Sequence, residues 1–129
     1  MPRPRLAVSV AVLVFDALLI LLFAGLGRRS HAETVDLAGV WGTAFPFLLA
    51  LGIGWLVLRV ARRPFAPVRS GLGLWAVTVV LGLALRAWMG GGVVLAFALV
   101  AAGTLAAFLV GWRVVAAGVR AVRARRRAA

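Results

Sequence analysis

Residues 6–26 read LAVSVAVLVFDALLILLFAGL, an apolar run interrupted by one charge, Asp16. A helix rising about 1.5 Å per residue crosses a hydrocarbon core of ~30 Å in about 20 residues. The run is long enough, and Asp16 falls near its middle. An ionised carboxylate at the bilayer midplane is costly, so it must face protein or water, find a partner, or hold a proton.

Three more segments of similar character follow: Leu37–Leu58, Ser70–Trp88 and Val93–Trp112. Each is bounded by arginine, glycine or proline. Together the four occupy nearly all of the 129 residues, so the chain reads as one four-helix transmembrane domain with a basic tail over residues 113–129. The fold class expected is all-α and polytopic. The connections, residues 27–36, 59–69 and 89–92, are short, which makes consecutive helices antiparallel neighbours in a bundle. Composition agrees. The chain is 64% hydrophobic with a mean hydropathy of +1.09, whereas a soluble domain is nearer half apolar. Ser30-His-Ala32 resembles a signal-peptide cleavage site, but the preceding apolar run is too long for a signal h-region, and Arg28-Arg29 intervenes.

The basic residues are all arginine, and the formal net charge is +12. In a soluble domain such a charge would suggest nucleic acid. Here the arginines lie between and beyond the apolar runs, so topology explains them and no nucleic-acid partner is expected. With the N-terminus inside, twelve arginines fall on the cytoplasmic side; Arg28, Arg29 and Arg86 fall outside. The positive-inside rule then gives an N-in/C-in protein of a prokaryotic cytoplasmic membrane. The inner arginines would meet anionic headgroups, making inner-leaflet lipid the expected partner. In the tail, Arg113, Arg120, Arg123 and Arg127 share one helical face opposite Val115, Val119 and Val122. This pattern fits an amphipathic juxtamembrane extension or a frayed basic tail.

Polar groups inside the spans are few. Asp16 is joined by Thr43, Thr78, Arg86 and, at the outer mouth, Arg28, Ser30 and His31. An arginine at position 86 can reach inward toward Asp16. The depth argument therefore predicts one polar cluster of Asp16, Thr43, Thr78 and Arg86, open to the outside, with nothing comparable in the inner half. It serves either as a structural Asp16–Arg86 pair, as a substrate, ion or proton site, or as a contact for another protein. On the third helix Gly71, Trp75, Thr78, Gly82 and Arg86 form one continuous face expected to meet other helices, with Val79, Val80 and Leu83 toward lipid. Gly103-x3-Ala107-x3-Gly111 on the fourth is a small-residue stripe that permits close helix contact. Pro46 inside the second segment frees a carbonyl, and a kink or a Thr43 hydroxyl contact is expected there.

Asp16…Phe23-Ala…Gly27-Arg28-x-Ser30-His31, Thr43-Ala44-x-Pro46-Phe47, Trp75-x2-Thr78-x3-Gly82-x3-Arg86 and Gly111-Trp112-Arg113 together resemble an uncharacterised family of small prokaryotic membrane proteins, domain of unknown function three-zero-five-four. The resemblance covers nearly the whole chain. It implies a four-helix integral membrane protein and supplies no activity.

Enzymatic chemistry is not expected. The chain has no cysteine and a single histidine, and it lacks paired carboxylates, a Ser/His/Asp set and the lysine of a phosphate loop after Gly90-Gly-Gly92. No metal and no cofactor are expected. Four short helices with one embedded acid are similar in outline to small multidrug-resistance transporters, in which a first-helix acid exchanges protons for cations. The absence of tyrosine and the strong charge bias depart from that pattern. The sequence favours a small-solute or proton-linked transporter. The competing reading is a non-transporting subunit or assembly factor of a membrane complex. Either implies a homo-oligomer or a larger assembly.

Overall fold

The computed structural model describes residues 6–30 and 35–128. Among these residues all regular structure is helical. Helix α1 spans Leu6–Ser30 and α2 spans Leu37–Val57; a short 3₁₀ turn, Val60–Arg62, follows. Helix α3 runs Pro67–Trp88 and α4 runs Leu95–Ala128. All four are long and apolar enough to cross a membrane.

Local chemistry accounts for the boundaries. Asp36 caps α2, its Oδ1 accepting from the Gly39 N–H at 2.8 Å. After α2, Arg59 takes a left-handed conformation (φ 53°) that turns the chain. Pro67 sits in the first turn of α3, where its missing N–H costs nothing. Gly90 and Gly92, both at positive φ, make the turn into α4. Pro46 is accommodated inside α2 and buried.

Two boundaries differ from expectation. α1 continues through Arg28 and Arg29, whose side chains can leave the helix sideways. α4 does not stop at Trp112: arginine is a good helix former, and the helix continues to Ala128, about 51 Å in all at about 1.5 Å per residue.

Adjacent helices meet with residue numbers rising on one as they fall on the other. Ser9 on α1 donates to the Ala61 carbonyl, Asp16 meets Trp55, Phe23 meets Phe47, and Arg28 meets Thr43. Between α2 and α3 the contact is close because glycine permits it. A Cβ at Gly82 would lie 2.4 Å from Phe47 Cδ1, and one at Gly54 would lie 2.8 Å from Leu74 Cδ1. Phe23, Phe47 and Phe97 form the aromatic centre of the core. Trp41 and Trp88 are exposed at the end of the bundle that holds residues 89–94, as expected of residues seated in a membrane interface.

The third-helix face is largely as read. Gly71, Thr78 and Gly82 are buried, and Trp75 Nε1 donates to the Ala102 carbonyl at 2.8 Å. Val80 is exposed, but Val79 is buried and Leu83 packs against the core. The lipid-facing assignment of those two is corrected: α3 touches both α2 and α4, so its buried arc is wider than one stripe. The small-residue stripe of α4 is corrected too. Gly103 and Ala107 are exposed, and a Cβ at Gly103 or Gly111 meets nothing within 4 Å. The helix instead turns Ala101, Leu105, Leu109 and Arg113 inward. This row at every fourth residue places an arginine in line with two core leucines.

Candidate functional site: a carboxylate held by four donors

Asp16 is fully buried, and its partner is Arg113. The guanidinium approaches as a fork, Nη2 to Oδ2 at 2.7 Å and Nη1 to Oδ1 at 3.0 Å. This two-pronged geometry is the strong form of an arginine–carboxylate contact. Trp112 Nε1 also donates to Oδ1, at 2.9 Å, and Trp55 Nε1 to Oδ2, at 3.1 Å. Each carboxylate oxygen therefore receives two hydrogen bonds, which matches its acceptor capacity.

Arg113 is equally well served. Its side chain is also fully buried. Nε donates to the Pro64 carbonyl at 2.8 Å, and Nη1 donates again to the Leu109 carbonyl at 2.9 Å. One pair thus ties together α1, α2, the 59–69 connection and α4. The desolvation penalty of burying two charges is offset only when geometry is good and the remaining polar atoms are satisfied; both conditions hold here.

The backbone around the pair is specialised. Ala106–Val110 in α4 and Pro67–Leu72 at the start of α3 are both π-helical turns, which are rare and frequently found at functional sites. They meet at Gly71, where a Cβ would come within 3.1 Å of Arg113 Cδ and 3.5 Å of Val110 Cα. Glycine is what lets α3 approach the arginine stem. Rings close the other side. Trp112 packs edge-on against Phe15 (5.1 Å) and Phe65 (5.7 Å), and Arg120 lies over the Phe65 ring at 3.9 Å.

The residues expected to cluster are placed apart. Arg86 does not pair with Asp16. Its Nε donates to the Gly92 carbonyl at 2.9 Å, and its guanidinium lies over Phe97 at 4.2 Å, at the opposite end of the bundle. Thr43 accepts from Arg28 Nη1 at 3.2 Å at that same end. Thr78 is buried in α3 with a hydroxyl that makes no hydrogen bond. Ser30 ends α1; His31 lies outside the described residues. The predicted outward-opening cluster of Asp16, Thr43, Thr78 and Arg86 is therefore not assembled. The physical reason is the direction of reach: Asp16 meets an arginine coming from the other end of the bundle. Among the described residues, no group of His, Cys, Asp or Glu has the arrangement of a metal site.

Sequence reasoning missed Arg113, Trp112 and Trp55 as site residues. In the sequence Arg113 opens a basic tail, and so reads as one of the topological arginines. The available signal was its place four residues after Leu109 in the row Ala101, Leu105, Leu109.

The family model described as "Protein of unknown function (DUF3054)" matches residues 13–116, an interval that contains every side chain of the Asp16–Arg113 site. The chain belongs to this family. No significant match is found among curated proteins or among solved structures.

Proposed function

We propose that this family member is a non-transporting subunit of a membrane assembly, seated N-in/C-in in the cytoplasmic membrane of a prokaryote. The observation that carries this reading is the saturation of Asp16. A carrier of protons or cations must release and reload its acid in each cycle. Here every acceptor site of the one embedded acid is occupied, and freeing it would strand a fully buried guanidinium. The pair is better suited to fixing the register of α1 against α4, and the four-helix unit then offers its outer surface to lipid and to neighbouring helices.

The test is flux in proteoliposomes with the purified chain, using a trapped pH dye and an imposed gradient. Wild-type protein is expected to match protein-free vesicles. A pH-linked flux that disappears in a well-folded Asp16→Asn variant would overturn the proposal and reinstate the proton-linked transporter.

A further inference from the structure

Beyond Arg113, α4 leaves the bundle along one side. Val115, Val119 and Val122 are exposed and share one strip of the helix with Gly118, Arg126 and Arg123, the last of which the sequence places on the opposite face and the structure places beside the valines. Arg120 points the other way, over Phe65, so the valine face is turned away from the protein. The contact with Phe65 also sets Arg120 level with the arginine-rich 59–69 connection, which fits the headgroup layer. Because Arg113 is neutralised by Asp16, it does not force that part of α4 out of the hydrocarbon.

An apolar strip ending in two cations must be covered by something amphiphilic. Residues 114–128 contain five arginines and no acid. A second copy of this face would bring like charges together, which opposes self-association. An anionic phospholipid has the complementary chemistry: acyl chain over the valines, phosphate on the guanidiniums. We propose that the Val115–Arg126 face of α4 is a binding site for an anionic phospholipid of the adjacent leaflet. This rests on the membrane reading above and specifies its lipid partner.

The chain has no cysteine, so a nitroxide can be placed by Val119→Cys in the full-length protein, reconstituted in phosphatidylcholine vesicles with or without phosphatidylglycerol. The expected result is protection of the label from a water-soluble nickel relaxant only when phosphatidylglycerol is present. Arg123→Gln with Arg126→Gln should lower the ratio of protected to exposed label about 25-fold, at about fivefold per arginine. Protection that is equal in both lipids, or unchanged by the arginine substitutions, would overturn the anionic site. So would a label exposed in both vesicles yet covered in native membranes, which would point to a protein partner. A second label at Leu99, exposed in the apolar part of α4 one turn from its start, separates the two readings. It should collide with oxygen and not with nickel in every vesicle, and its failure to do so would refute the membrane placement itself.

Discussion

Replacing Asp16 by asparagine removes the charge that Arg113 answers while keeping the side chain's shape. The asparagine amide presents one oxygen and one NH₂ to four donors, so two donors lose their acceptor. The guanidinium stays buried against the Pro64 and Leu109 carbonyls without a counter-ion. Breaking one side of a buried pair costs about 3–5 kcal/mol, much of it from the stranded charge. Arg113→Gln is expected to cost somewhat less, because the carboxylate keeps its two tryptophan donors, each worth about 1.5–3 kcal/mol for a bond to a charged group. In the double variant no unpaired charge remains, and the two amides can bond each other. Its loss should therefore fall short of the sum of the single losses by about 2–3 kcal/mol, the upper part of the roughly 0.5–3 kcal/mol range for residues in one network. The assay is reversible unfolding of the four proteins in mixed micelles, read by tryptophan fluorescence and helical circular dichroism. Additive losses would refute the coupling. So would a double-variant cycle of Asp16→Asn with Arg86→Gln that showed a coupling of that size, since Arg86 is placed at the other end of the bundle.

Further outcomes can be checked on the same preparations. Gly82→Leu should destabilise by about 3 kcal/mol or more, because the new side chain overlaps Phe47, whereas Val80→Leu, on an exposed position, should change stability by less than about 0.5 kcal/mol. Thr78→Val should stabilise by about 1 kcal/mol, since it removes a buried hydroxyl that has no hydrogen-bond partner; a loss of similar size would show that the hydroxyl is used. For topology, cysteine at Met89 should react with an impermeant reagent in intact cells and cysteine at Ala61 should not; reaction at both would mean mixed orientation.

The four spans were legible in the sequence because their cause is local. A bilayer demands about 20 apolar residues with internally satisfied backbone, and the runs around Phe15, Leu49, Val79 and Val100 meet that demand without reference to one another. The special role of Asp16 was legible for the same reason: an acid inside such a run must be answered by something. The glycine-rich face of α3 could be read from spacing, since Gly71, Thr78 and Gly82 repeat at helical intervals. What answers Asp16 was decided only by tertiary structure. Arg86 and Arg113 are both arginines near the end of an apolar segment, and distance along each helix does not distinguish them. The choice depends on how α1 and α4 are offset, on the two π turns that meet at Gly71, and on indole N–H groups from Trp55 and Trp112 that complete the carboxylate's shell. A charge far apart in sequence from its partner is recognised only when packing brings the two into one low-dielectric space. There, an unpaired carboxylate is costly enough to decide which arginine turns inward.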